Sequence, residues 1–146
     1  MQSSIYSFIL VGLGGALGAM SRYALTVLSS HYYSLALIGT FLSNVIGCFL
    51  MGIIFQLVFN FSSESATNIL VEQNRLLFAV GFCGSFTTLS ALIVEINNLH
   101  LADQYLQSLM YLFGTLIAAF LFFIMGMMLV AVSYTHLRAH ETPEHL

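Results

Sequence analysis

The stretch GFCGSFTTLSAL, from Gly81 to Leu92, sets two glycines and a run of hydroxyl residues in the middle of a segment that otherwise reads as membrane-spanning. Glycine weakens a helix by about 1 kcal/mol relative to alanine, and a backbone group left unsatisfied in lipid is costlier still. A break at this place therefore has a use. Non-helical backbone at membrane depth is tolerated where it is buried in protein or lines a polar cavity, and there its carbonyl oxygens can serve an ion.

Around this stretch the chain of 146 residues is 59% hydrophobic and carries only nine charged side chains, too few for the surface of a soluble domain. Apolar blocks run from about Ile5 to Leu28, Leu35 to Phe61, Leu76 to Leu99 and Tyr105 to Val132. Each exceeds the ~20 residues that cross a bilayer core. The expectation is an all-α membrane protein with four transmembrane helices, the third broken mid-membrane, forming one channel-like domain over residues 1–132. The first block lacks the basic start and the short apolar core of a secretory signal, so it reads as a retained helix.

After Val132 the composition changes to SYTHLRAHETPEHL, residues 133–146, which holds His136, His140, His145, Arg138 and the only proline. This polar tail resembles translated cloning or sequencing read-through and is set aside from functional reasoning. No cysteine or second cluster accompanies its histidines, so no metal site is read there. Lysine is absent, and the cations are Arg22, Arg75 and Arg138. Two fall on one side of a four-span chain and one on the other, a bias too small to fix orientation. A chain that inserts both ways can form an antiparallel dual-topology dimer. Cys48 and Cys83 sit inside spans and read as small buried residues, without a disulfide.

The first span carries Gly14 and Gly18 at the small-xxx-small spacing that lets helix backbones approach. Its GLGGALG string is no dinucleotide fingerprint, because Leu17 stands where the third glycine belongs. The second span, GTFLSNVIGCFLMG, brings Thr40, Ser43 and Asn44 into an apolar helix. Asn44 has two readings, an interhelical hydrogen bond or a group facing a pore. In the third span Glu95 is the only acid within any block. It lies seven residues beyond Thr88, near the same helical face, and its neighbours Asn97, Asn98 and His100 suggest a solvated carboxylate near the interface, with a proton relay as the less favoured alternative. Tyr111 in the fourth span has a hydroxyl to satisfy and can join a polar pathway. The connection from Ser62 to Arg75 reads as a solvated loop with room for one helical turn on the membrane surface. No His and acid cluster, activated nucleophile or nucleotide loop is present, so an enzyme is not expected, nor is a nucleic-acid partner.

Three motifs, GGALGAMSRY ending at Arg22 and Tyr23, GTFLSNVIGCFLMG and GFCGSFTTLS, together resemble the small four-helix Fluc/CrcB fluoride channels of microbes, in the same order and spacing over about residues 5–132. The resemblance implies a multi-pass protein of a bacterial plasma or inner membrane, an antiparallel dimer with two pores that exports fluoride, and a structural sodium ion at the dimer centre. Carried onto this chain, the sodium ligands are the carbonyls of Gly84 and Thr87. Sodium is a hard cation suited to oxygen ligands, which unwound backbone can supply. The resemblance points to Asn44 and the third helix for the pore, where Asn44, Thr88, Ser90 and Tyr111 can donate hydrogen bonds to fluoride. It also places Arg22 near a pore entrance, where it raises local anion concentration or anchors at the interface. Glu95 completes the candidate pore set, and lipid is the remaining partner.

The family usually reads TTFSTF where this chain reads TTLSAL, so Leu89 and Leu92 replace phenylalanines whose positive ring edges line the fluoride path. Ala91 replaces a hydroxyl. Beside a homodimeric fluoride channel stand two other readings. One is a partner subunit in a heterodimer with a related chain, contributing one degraded pore. The other is a small proton-coupled drug exporter, which needs a deep carboxylate that the first helix lacks.

Overall fold

Lipid offers the backbone no hydrogen-bond partner, so a spanning chain satisfies itself by helix formation. The computed structural model describes residues 2–33, 36–62 and 69–140, and these are almost entirely helical. Helix α1 spans Gln2–Tyr33 and α2 spans Ala36–Ser62. The third traverse is composite: α3 (Ile69–Asn74), a π-helical segment (Arg75–Cys83), a short α4 (Gly84–Phe86) and α5 (Leu89–Leu101). Helix α6 runs from Tyr105 to His140. Stretches long and apolar enough to cross a membrane are Ser4–His31, Leu37–Asn60, Ile69–Leu101 and Tyr105–Ser133.

The third traverse differs from its sequence reading in two respects. Its helix begins at Ile69, so the helical turn allowed for in the connection is α3 and runs on directly into the span, with Glu72 of α3 pairing at 2.7 Å with Arg75 at the start of the π segment; residues 63–68 lie outside the described residues. Its break is also narrower than Gly81–Leu92. Backbone leaves the helical region only at Thr87 (φ −79°, ψ 153°) and Thr88 (φ −152°, ψ 120°). The glycines do not unwind the chain; they let it pack. In α6, helical backbone continues through His140 into the segment read as a foreign tail, and His145 lies outside the described residues.

Two glycine seams hold the bundle together. On α1, a Cβ at Gly14 would overlap the Leu77 carbonyl and one at Gly18 the Phe82 carbonyl, while a Cβ at Gly81 would sit 2.8 Å from the Val11 carbonyl. Backbones of α1 and the π segment therefore touch directly, as small residues in lipid allow. Between α2 and α6 the same role falls to Gly52, against Phe123, and Gly126, against Phe49. Rings flank this second seam, with Phe49 edge-on to Phe122 at 6.4 Å between centroids.

Burial is inverted relative to a soluble bundle. Val45, Cys83, Phe86 and Leu92 are the buried hydrophobic residues described, against seven buried polar ones, among them Thr40, Ser43, Asn44, Thr88 and Thr115. Large apolar side chains such as Phe8, Met20 and Phe120 point outward. The interior is thus the polar phase.

The seams make a clear stability prediction. Gly18→Ala forces a methyl into the Phe82 backbone and should cost about 1–3 kcal/mol. Gly12→Ala, with nothing within 4 Å of its Cβ position, should be neutral or stabilising. Thermal unfolding of both variants in detergent checks the contrast.

Candidate functional site

Extended backbone at Thr87 and Thr88 interrupts the helical hydrogen-bond ladder after the Thr87 amide, near the middle of the third span. Each freed group needs another partner. Asn44 supplies two of them: the Thr88 amide donates to Asn44 Oδ1 at 2.7 Å, and Asn44 Nδ2 donates to the Thr88 carbonyl at 3.1 Å. The carboxamide pairs with Thr88 as a peptide group would. The side chain is buried, and one of its two N–H groups is uncommitted among the described hydrogen bonds.

The break has two ends of opposite character. On its N-terminal side the Thr87 amide and hydroxyl both donate to the Cys83 carbonyl, each at 3.0 Å. The helical donor that would serve the Gly84 carbonyl is the Thr88 amide, which has turned to Asn44. The donor that would serve Thr87 is the Ala91 amide, which instead bonds Thr88 Oγ1 at 3.2 Å. Both carbonyls named from the sequence as sodium ligands have therefore lost their helical donors, and Gly84 is exposed on the surface of the single chain. That donor set of neutral oxygens fits a hard monovalent cation. Among the described residues no group of three His, Cys, Asp or Glu side chains competes for a metal.

On the C-terminal side α5 starts at Leu89 with Thr88 as its N-cap. A helix N-terminus carries partial positive charge and free amides, which favour an anion. Thr88 Oγ1 and Ser90 Oγ lie 3.1 Å apart at this end. A cavity of about 220 Å³ opens here, lined in part by Asn44, Cys48, Thr88, Leu89, Leu92 and Thr115. Leu92 is wholly buried and Leu89 is 66% exposed, so both positions where ring edges were missed border the same space. A larger cavity of about 460 Å³, lined by Met51, Ile54, Phe55 and Arg75, contains none of the candidate residues. The walls of both cavities are mostly apolar, and it is the presence of Asn44, Thr87, Thr88 and Thr115 in the smaller one, not size, that identifies the site.

Further along α5, Glu95 is not simply solvated. Thr40 Oγ1 donates to Glu95 Oε1 at 2.7 Å, and the Tyr111 hydroxyl lies 2.5 Å from Glu95 Oε2 and 2.9 Å from the Leu37 carbonyl. A phenol has one proton, so Tyr111 donates to one of these acceptors at a time. Thr115 backs the cluster by donating to the Tyr111 carbonyl at 2.7 Å, and Ser43 bonds the Thr40 carbonyl at 2.9 Å. Thr40 and Thr115 were not singled out as site residues. Their signal was spacing, since Thr40 precedes Asn44 by four residues and Thr115 follows Tyr111 by four. Arg22 makes no described hydrogen bond to this track; its Nε donates to the Ser85 carbonyl at 3.2 Å.

Residues 9–127 match the family described as CrcB-like protein, Camphor Resistance (CrcB). The chain is 38% identical over 132 residues to the fluoride-specific ion channel FluC of Prosthecochloris aestuarii, covering 90% of this chain and 98% of that one. It is 36% identical over 120 residues to the protein of the same name from Chlorobium phaeobacteroides (strain DSM 266 / SMG 266 / 2430), covering 82% and 88%. A Francisella philomiragia protein of that name is 35% identical over 121 residues, covering 81% and 89%.

Replacing Asn44 tests the clamp. Asn44→Ala leaves the Thr88 amide and carbonyl unpaired in a buried place and should cost roughly 2–5 kcal/mol. Asn44→Asp keeps the acceptor but turns an anion toward the Thr88 carbonyl, so it should not rescue. Unfolding midpoints in detergent distinguish these outcomes from a neutral effect.

Proposed function

The chain belongs to the CrcB family, and from that premise and the geometry of the break we propose that it is a passive, fluoride-selective channel that exports fluoride down its gradient. It is a multi-pass bacterial membrane protein with four candidate spans, and its relatives are named as channels rather than enzymes. The observation that carries the reading is the mid-span helix break with a cavity at its amide end into which Asn44 and Thr88 bring donors. Fluoride is small and strongly hydrated, so a selective path must replace water with N–H and O–H donors. The uncommitted Asn44 N–H, the amides of Leu89 and Ser90 at the start of α5, and whichever of the Thr88 and Ser90 hydroxyls does not donate to the other offer that replacement. Tyr111 continues the donor track toward Glu95, a carboxylate whose oxygens are already occupied by Thr40 and Tyr111.

In this proposal the carbonyls of Gly84 and Thr87 hold a structural sodium ion between two copies of the chain. Two carbonyls from each of two antiparallel copies give four oxygens about a two-fold axis. Exposure of Gly84 in the single chain supports a ligand set completed by a partner. A bound cation supplies fixed positive charge beside the anion path. The protein's part is to keep those carbonyls out of the helical ladder: Asn44 draws the Thr88 amide away from Gly84, and the Thr88 hydroxyl draws the Ala91 amide away from Thr87. A homodimer meets the requirement, and names of the relatives do not favour a heterodimer partner or a drug exporter.

Efflux from proteoliposomes tests the function. The purified chain should release fluoride and retain chloride; equal release of both would contradict a selective channel. Leu89→Phe with Leu92→Phe should raise fluoride efflux roughly two- to tenfold, the value of a ring-edge interaction at the cavity.

A further inference from the structure

Arg22 is a cation inside a membrane-spanning helix, and among the described side chains no carboxylate pairs with it. Its partner is a backbone oxygen, the Ser85 carbonyl, reached by Nε from 63 residues away in sequence. Such a charge in a span normally finds a carbonyl or a counter-charge. The choice of carbonyl is what matters here, because Ser85 lies between Gly84 and Thr87.

The approach is built into α1. Gly15, whose Cβ position is 3.2 Å from Ser85 Oγ, and Gly18, whose Cβ position is 3.1 Å from the Phe86 amide, bring the helix onto the turn before the break. Arg22 follows Gly18 by four residues and so lies on the same face, one turn further on. Its side chain is half-buried, and Thr26 Oγ1 donates to its carbonyl at 3.1 Å. The turn Gly84–Phe86 is thus gripped from two sides, by Arg22 of α1 at Ser85 and by Asn44 of α2 at Thr88.

We propose that Arg22 is a positioning residue for the break: by holding the Ser85 carbonyl it fixes the short turn and withdraws that oxygen from the carbonyls open to a cation, among which Gly84 and Thr87 remain. The consequence for sodium rests on the proposed sodium site, whereas the hold on the turn does not. This role requires a donor at the Nε position, not a positive charge. Attraction of anions would require the charge instead.

Glutamine separates the two, since its side-chain N–H₂ sits on a stem of the same length as arginine Nε but is neutral. Hydrogen exchange at the amides of Thr87, Thr88 and Ala91, all bonded in the intact break, is read on the full chain in sodium-free buffer. Arg22→Met should speed exchange there about tenfold, the lower value of a charged hydrogen bond, and Arg22→Gln should stay close to the wild type. Wild-type exchange in Arg22→Met, or equal acceleration in Gln and Met, overturns the proposal. Should the Met variant fail to fold, Arg22→Lys replaces it: exchange faster in Lys than in Gln supports positioning, and the reverse overturns it. In a sodium titration followed by melting temperature, Arg22→Met should need about tenfold more sodium for half of the stabilisation. A wild type indifferent to sodium overturns the sodium site and this consequence, while the exchange result still decides the hold on Ser85.

Discussion

Everything else in the bundle depends on one pair of hydrogen bonds, those between the Asn44 carboxamide and the backbone of Thr88. A helix interrupted in lipid leaves amides and carbonyls that water cannot reach, and each is expensive until a partner is found. Asn44 supplies the geometry of a peptide group from the neighbouring helix. It thereby makes two extended residues stable in the middle of a span, and the ladder that would have run through them divides into a carbonyl end and an amide end.

That division gives one chain two kinds of ion chemistry. Carbonyls released before the break suit a cation, and the start of α5 after it suits an anion. Neither end needs a buried formal charge. The glycine seams serve the same purpose at one remove, because α1 reaches the turn near Ser85 only through the absence of side chains at Gly14, Gly15 and Gly18. Arg22 of α1 then adds a second hold on the turn beside that of Asn44 from α2.

Much of this was legible from residue types. Four apolar blocks fixed the spans, and Gly81–Leu92 fixed which helix is interrupted, because hydroxyl-rich backbone at membrane depth has few tolerated explanations. The interruption's exact extent was not legible. Glycine permits both unwinding and close packing, and only the neighbouring helix decides between them; Gly81 meets Gly14, while the threonines carry the extended backbone. The π geometry of Arg75–Cys83 had no local signal either. Glu95 misled for a related reason. Polar neighbours in sequence suggested water, but Thr40 and Tyr111 come from other helices, and their approach is a property of packing. Asn44 left two readings open, and the geometry makes them compatible, since its clamp uses one N–H and leaves the other.

The most direct measurement of the central claim is the backbone conformation of Thr87 and Thr88 in lipid bilayers, from solid-state NMR carbon shifts of the labelled threonines. Extended shifts at both residues between helical flanks, turning disordered or helical in Asn44→Ala, are the predicted result. Helical shifts through Thr87 and Thr88 in the unaltered chain would contradict the account.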